Sequence, residues 1–171
     1  MVLPRRSGNG CGGGGCLDLS RNWCHGNLFW SLEPVLEEAK TRRIAAQIEP
    51  DGRQPLELKR TRSFDYSLYN LEALFALATL GEPVGVDLWT YRTPDGRGIR
   101  KALDWPIPYA TGEKHWSYDQ ITRPKTGKMA ALLRRAANAY HAPRYEERIG
   151  ELTDDGGSDL TDLLYPPASD P

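Results

Sequence analysis

Hydrophobic positions along the chain recur mostly with the period of an α-helix. One such stretch begins near Glu33, where Pro34 suits a first helical turn. A second begins at Ser63, an acceptable N-cap residue, and continues to about Leu80, after which Gly81 is a natural C′ residue. This second helix carries an apolar stripe wide enough to pack against a core. The stripe consists of Phe64, Leu68, Leu71, Leu74, Phe75 and Ala78.

Three further segments are predicted to be helical, at residues 97–104, 125–141 and 143–152. The segments that connect the helices are rich in Gly and Pro, which is typical of loops. Alternating apolar and polar runs, the mark of a half-buried strand, extend over no more than a few residues. The pattern therefore predicts an all-α fold of helices paired by loops.

The two ends of the chain lack this periodicity. Residues 1–30 are rich in Gly, and we expect them to form a disordered leader. Residues 168–171 are expected to be a loose tail, which leaves residues 31–167 as the helical domain. All three cysteines lie in the leader, where Cys11, Cys16, Cys24 and His25 lack the spacing of a zinc site. We therefore expect a disordered leader with reactive thiols rather than a metal site.

Composition narrows the classes of function. The formal net charge of −1 argues against a general nucleic-acid binder, which normally has a basic excess. No apolar run approaches the roughly 20 residues of a membrane helix, so we expect no membrane association. The charged N-terminus is followed by no apolar segment, and a signal peptide is therefore not visible in this chain.

One face of the second helix has an unusual composition. In the segment RTRSFDYSLYNLEALFAL (60–77), helical spacing places Arg62, Tyr66, Tyr69, Asn70 and Ala73 on the side opposite the apolar stripe. A solvated face is usually built from Glu, Lys and Gln. Phenols beside a guanidinium suit a cleft for an anionic, partly flat ligand such as a sugar acid.

The residue types on this face suggest two chemical roles. Neighbouring cations stabilise a phenolate, so a tyrosine one turn from an arginine is suited to exchange a proton with a substrate. An arginine fork holds a carboxylate through two hydrogen bonds. The alternative is that Tyr66 and Tyr69 are half-buried helix residues whose hydroxyls bond to the backbone.

The same segment carries a family resemblance. The stretch TRRIAAQIEPDGRQPLELKRTRSFDYSLYNLEALFALATLGEPVGVDLW resembles the alginate lyase domain family. Within it, ELKRTRSFDYSLYNLEAL is the most specific part, and the likeness continues through TPDGRGIRKALDWPIPYATGEKHWSYDQI to the closing LLYPP. It covers about residues 34–167. The resemblance implies the C-terminal part of a longer protein and a partial (α/α) toroid of helix pairs.

The resemblance also implies an activity, the cleavage of alginate or polymannuronate by β-elimination. In that role Tyr66 is the proton acceptor and donor, and Arg60 or Arg62 holds the substrate. Neither a metal nor an organic cofactor is implied, and the expected partner is the acidic polysaccharide. The family further implies a periplasmic or secreted location.

Part of the family pattern is not found intact. The family has an Asn-Asn-His-Gly motif, and here the matching segment NWCHGNLFW has Cys24 in place of Asn beside His25. His25 is then a degenerate catalytic residue, a coincidence in the leader, or part of a shifted reading frame. Enzyme activity stays open for this reason.

Two further predictions concern binding. Lys114, Trp116 and Tyr118 form either a sugar subsite, together with Tyr69 and Asn70, or a loop anchored in the core by Trp116. Lys128, Arg134 and Arg135 are predicted to form the solvent-exposed face of their helix. Two alternatives to the lyase are an inactive fragment that only binds uronate polymer, and a helical interaction module. In the second of these, exposed apolar helix faces would bind a partner or a second copy of the chain.

Overall fold

A computed structural model of the chain describes residues 26–152, with side chains from residue 32 onward. These residues form helices and loops and one isolated bridge between Arg62 and Gln120, which confirms the all-α prediction. The α-helices are α1 (Gly26–Ala39), α2 (Pro55–Leu58), α3 (Ser63–Gly81), α4 (Ile99–Asp104), α5 (Ile107–Ala110), α6 (Gly127–Tyr140) and α7 (Arg144–Ile149). A π-helical segment (Lys40–Ala45) extends α1, and a 3-10 turn (Glu82–Val84) follows α3. None of the helices in this range is both long and apolar enough to cross a membrane.

Helix α3 packs at the centre of the described fold. It contacts α1 and α2 on the N-terminal side of the sequence and α4 and α6 on the C-terminal side. Every member of the predicted apolar stripe is buried, from Phe64 to Ala78. Burying such side chains contributes roughly 1.5–3 kcal/mol each, so the stripe accounts for the central position of the helix.

Helix α1 differs from its prediction. It begins at Gly26, inside the segment predicted as leader, and Pro34 lies in its interior rather than in a first turn. The proline was a misleading start signal, because it removes one hydrogen bond from the helix without ending it here. The π-helical segment was not predicted. Buried positions step from Ala39 to Ile44, an interval of five that suits a π-helix and brings Ile44 into the core.

The ends of α3 also correct two predictions. Ser63 is the first helical residue, and Arg62 occupies the N-cap position without a capping side chain. Gly81 closes the helix with right-handed geometry, at a φ of −72°, and the left-handed glycine is Gly85, at 77°. Gly81 is required for a different reason, since a Cβ there would lie 2.2 Å from the carbonyl oxygen of Val86.

The remaining helices are close to the prediction. The segments predicted at 97–104, 125–141 and 143–152 correspond to α4, α6 and α7. Helices α2 and α5 were missed because each has four residues and contains proline, which resembles a turn in sequence. Residues 1–25 and 153–171 lie outside the described part of the chain, and so do the predictions made for them.

Candidate active site

The loop before α6 positions the first turn of α3. The backbone N–H of Ser63 donates to the carbonyl of Asp119 at 3.0 Å, and its hydroxyl donates to the same oxygen at 2.6 Å. The N–H of Phe64 donates to the side-chain oxygen of Gln120 at 3.1 Å. These groups would otherwise be unpaired at a helix start. The loop therefore fixes the turn that precedes Tyr66.

Tyr66 is half-buried one turn into α3 and lies beneath a cation. The guanidinium carbon of Arg60 is 4.1 Å from the centroid of the phenol ring, which is within the range of a cation–π contact. Arg60 is exposed and makes no ion pair with any residue in the described range. Its charge is therefore available to an anion that approaches Tyr66.

Arg62 has different surroundings. Its Nε and Nη2 donate to one carboxylate oxygen of Asp65, at 3.0 and 2.6 Å. The other oxygen of Asp65 accepts from the backbone N–H of Lys125 at 3.0 Å. Asp65 thus links α3 to the loop before α6 and neutralises Arg62. The sequence left Arg60 and Arg62 as alternatives for holding the substrate. The ion pair distinguishes them, because Arg62 already has a carboxylate partner and Arg60 has none in the described range.

A small pocket of about 220 Å³ opens beside Tyr66. Its lining comprises Arg62, Asp65, Tyr66, Tyr69, Lys125 and Lys128. Tyr69 is 64% exposed, and the Lys128 ammonium lies 5.5 Å from its ring centroid. Asp65 pairs with Arg62, and Glu72 of α3 pairs with Lys128 from outside the lining, so Lys125 is the lining cation without a carboxylate partner in the described range. Together with the exposed Arg60 above Tyr66, it gives this end of α3 a positive charge that would attract an anion.

Lys125 and Lys128 were missed as members of this pocket. Lys128 was predicted to belong to a solvated face, but its ammonium bonds Glu72 of α3 at 2.8 Å. Arg134 on the same helix is also not simply solvated, since it pairs with Glu146 at 3.5 Å with 15% of its side chain exposed. The spacing of Arg62 and Asp65 could have predicted their ion pair, since residues three apart in a helix lie side by side. No such local pattern marks Lys125.

Asn70 lies apart from the pocket. Its amide nitrogen donates to the side-chain oxygen of Gln54 at 2.9 Å, and the amide of Gln54 donates to the carbonyl of Ser67 at 3.2 Å. Gln54 is almost fully buried and requires these partners. The face predicted from helical spacing is therefore divided, with Tyr66 and Tyr69 at the pocket and Asn70 turned towards α2.

The loop residues predicted as a sugar subsite form an aromatic cluster. Trp116 packs edge-on against Phe64 at 5.0 Å, contacts Tyr118 at 5.3 Å and donates its indole N–H to the hydroxyl of Ser63 at 2.9 Å. These contacts favour the alternative in which Trp116 anchors the loop. Tyr118 extends outward to Arg53, whose pKa is raised by its side-chain bond to Tyr118 and by Asp51. Lys114 is exposed and is not part of the pocket lining.

The remaining candidates are metal ligands and His25. Within residues 26–152, no three His, Cys, Asp or Glu side chains come together as a metal site would require. The predictions made for Cys11, Cys16, Cys24 and His25 concern residues outside this range and stay predictions. The described site consists of phenols, guanidinium groups and ammonium groups around Tyr66.

Two comparisons with known proteins both match this chain to alginate lyases. The sequence model of the alginate lyase family matches residues 31–116. The crystal structure of an alginate lyase from Bacteroides ovatus is similar, with a TM-score of 0.73 and 32% sequence identity. The likeness covers 82% of this chain and 37% of that protein, so this chain spans well under half of its length. The search of curated protein sequences gave no significant match.

Proposed function

The chain belongs to the alginate lyase family, and on this premise we propose that it cleaves an acidic uronate polysaccharide, alginate, by β-elimination. The observation that carries the proposal is the position of Tyr66, which lies under the guanidinium of Arg60 and lines one pocket with Lys125. A polymer of sugar acids offers both a carboxylate for the cations and a flat ring for the aromatic surface. The family premise supplies the identity of the polymer.

The proposed reaction needs one group to move a proton and others to stabilise charge. The Tyr66 oxygen, as phenolate, removes the proton from C5 of the uronate that follows the scissile bond. The C4–O bond breaks as the C4–C5 double bond forms, and the departing oxygen takes the proton back from Tyr66. The products are a shortened chain and a 4,5-unsaturated uronate end.

Neutralisation of the uronate carboxylate makes the C5 proton acidic. We assign this role first to Arg60, which stacks on Tyr66 and has no carboxylate partner in the described range. Lys125 lines the same pocket and is a second candidate. Arg62, held by Asp65, orients the site rather than binding substrate. Preorganised cations of this kind commonly contribute several kcal/mol of transition-state stabilisation.

Replacement of Tyr66 by Phe tests the proposal. With polymannuronate as substrate, the unsaturated product absorbs ultraviolet light, and we expect the absorbance to rise with the wild type and not with Tyr66→Phe. The matched control is Tyr109→Phe, because Tyr109 packs on Trp116 away from the pocket lining and its hydroxyl has no bond in the described range. Equal rates for Tyr66→Phe and the wild type would exclude Tyr66 as the proton carrier.

A chain that only binds the polymer is a second candidate, favoured by a change in the family motif. Cys24 stands beside His25, where the family motif has Asn. This candidate would retain the cation-lined pocket and bind uronate polymer without forming an unsaturated product. Polymer binding by a folded wild-type chain that gives no ultraviolet signal would favour it.

The finer predictions drawn from the family complete the proposal. We infer that the helices belong to a partial (α/α) toroid and that the protein acts in the periplasm or outside the cell. The α-helical fold and its likeness to the Bacteroides ovatus lyase support the first inference. The second is consistent with an extracellular polymer as substrate.

A further inference from the structure

A second, larger cleft lies outside the Tyr66 pocket. It has a volume of about 530 Å³ and shares no lining residue with that pocket. The loop before α4 and helix α4 provide most of its walls, and α7 contributes Arg144. Its charged lining consists of Arg92, Asp95, Arg100, Lys101, Asp104 and Arg144. Four cations and two carboxylates face this cleft, so it carries a net positive charge.

A hydrogen-bond network holds two of the cations in place. The hydroxyl of Tyr145 donates to Asp104 at 2.7 Å and accepts from Arg144 at 2.9 Å and from Arg100 at 3.3 Å. Burial raises the pKa of Tyr145, which keeps the phenol neutral and able to donate. The Arg100 guanidinium also lies 5.0 Å from the ring centroid of Tyr140. Arg100 and Arg144 are thus fixed before any ligand arrives.

These cations retain binding capacity. Arg100 uses its Nε in the network, and its two terminal nitrogens bond no residue in the described range. Arg92 and Lys101 are exposed and form no ion pair with any described residue. Asp95 is occupied by Arg97, whose Nε donates to it at 2.7 Å. The positive charge of the cleft is therefore not cancelled by its own acidic residues.

We propose that this cleft is a second binding site, separate from the Tyr66 pocket, for a carboxylate-bearing oligosaccharide. The free fork of Arg100 matches a planar carboxylate, and Arg92 and Lys101 supply further charge at the rim. Tyr91 and Pro50 line the same cleft and offer apolar surface to the C–H face of a sugar ring. The choice of a uronate as the probe rests on the proposed function.

The site would allow the chain to hold a long polymer at two points. A ligand bound at the cleft raises the local concentration of its neighbouring sugars at a second site on the same chain. The effect requires a polymer long enough to reach both sites. It would be absent for short oligomers, which bind each site independently.

Isothermal titration with a mannuronate tetramer tests the proposal. Every protein carries Tyr66→Phe, so that cleavage does not disturb the binding curve. We expect Arg92→Ala/Lys101→Ala to lose the second binding event or to bind about tenfold more weakly, since each exposed charge contributes a modest share. The charge-retaining Arg92→Lys/Lys101→Arg variant should bind nearly as the parent does. Arg43→Ala, which removes an exposed cation outside this cleft, is the remote control.

Two further probes test whether the cleft recognises the sugar carboxylates or any anion. A carboxyl-reduced tetramer of the same length should not bind the cleft, and inorganic phosphate should not displace the mannuronate tetramer at equal concentration. Unchanged binding by Arg92→Ala/Lys101→Ala would overturn the proposal. Equal binding of the reduced tetramer, or preference for phosphate, would overturn it as well. The outcome is independent of the ultraviolet assay, because binding is measured in a background from which the Tyr66 hydroxyl has been removed.

Discussion

Two guanidinium groups flank the start of α3 in different surroundings. Arg60 stacks over the ring of Tyr66 and is exposed, whereas Arg62 is bonded to Asp65 by two nitrogens. Only the first is free to meet a substrate carboxylate without breaking an existing ion pair. We therefore propose that Arg60 acts on the substrate and that Arg62 positions the site.

Replacement of each arginine by alanine distinguishes the two roles. We expect Arg60→Ala to lower kcat/KM about a hundredfold, as the loss of one preorganised charge commonly does. The free energy of unfolding of this variant should fall by no more than about 0.5 kcal/mol, as is usual for substitutions at exposed positions. Arg62→Ala should destabilise the fold by about 1 kcal/mol, because Asp65 loses its ion pair. Initial rates and urea unfolding of both variants measure these effects, and equal losses of activity with unchanged stability would contradict the assignment.

Ser63 connects α3 to the loop that carries Trp116. Its hydroxyl donates to the carbonyl of Asp119 and accepts the indole N–H of Trp116. We expect Ser63→Ala to lower the free energy of unfolding by about 2 kcal/mol, since the buried hydroxyl is lost together with its two part-buried hydrogen bonds. Ser67→Ala is the matched control. Its hydroxyl donates only within the helix, to the carbonyl of Ser63, so its loss should cost about 1 kcal/mol or less. A larger loss for Ser67→Ala in urea unfolding would refute this account.

At this scale the sequence indicated candidate residues but not the groups that they contact. Tyr66, Tyr69 and the arginines were chosen because phenols and guanidinium groups are unusual on a solvated helix face. Lys125 was missed because it reaches the pocket through a loop whose path depends on tertiary contacts. The bond of Asn70 to Gln54 was not predicted, because helical spacing does not reveal that the buried Gln54 needs a donor for its side-chain oxygen.

The C-terminal end of α3 shows how one element turns into the next. The 3-10 turn Glu82–Val84 follows Gly81 directly, and the N–H of Val86 donates to the carbonyl of Gly81 at 3.0 Å. The close approach of the Val86 carbonyl leaves no room for a side chain at Gly81. The left-handed turn that a helix end often requires is made later, at Gly85.

Alanine substitution at two helical glycines tests this close approach. Gly81→Ala should destabilise the protein by about 2 kcal/mol, because a Cβ must displace the Val86 backbone. Gly127→Ala at the start of α6 meets no atom within 4 Å and should be neutral or stabilising by about 0.5 kcal/mol. Thermal unfolding of both variants measures the difference. A stable Gly81→Ala protein would show that the turn relaxes easily.

Element prediction succeeded where apolar spacing is long and regular. Helix α3 was placed within a residue or two, because its stripe recurs over several turns. The start of α1 was wrong, since residues 26–32 include Gly, Asn and Ser and lack a clear period. The π-helical segment is a response to tertiary packing, because it brings Ile44 into the core, and no local sequence signal marks it.

At the scale of the whole molecule, an apolar groove lies between α1 and α3. Its volume is about 550 Å³, and its lining includes Val35, Ala73, Leu77 and Leu80. Val35 is 57% exposed and Leu80 is 50% exposed. Exposed apolar surface of this kind favours contact with another protein surface.

This groove leads to a prediction of self-association for the isolated chain. We expect the sedimentation coefficient of the wild type to rise with concentration and that of Leu80→Glu to stay constant. Leu56→Glu is the control, because Leu56 is 59% exposed but lies outside the groove. Association that persists in Leu80→Glu and is lost in Leu56→Glu would place the contact elsewhere.

The whole-molecule predictions came from two sources. The all-α class followed from periodicity, and the family came from one helix and the loops around it. The cation-lined cleft at Arg100 was not predicted, because its walls come from a loop, α4 and α7, which are distant in sequence. Such a surface forms only when the chain is folded, so no local pattern indicates it.

The central claim is that this chain breaks uronate polymer by elimination. Digestion of polymannuronate in water enriched in oxygen-18, followed by mass spectrometry of the products, tests it most directly. Elimination adds no water, so the account predicts unsaturated products without oxygen-18 from the cleavage step, once slow exchange at the reducing end is corrected with a product standard. Products that are heavier by one water molecule and carry the label would show hydrolysis, and an intact polymer would show that the chain does not cleave it; either result would contradict the claim.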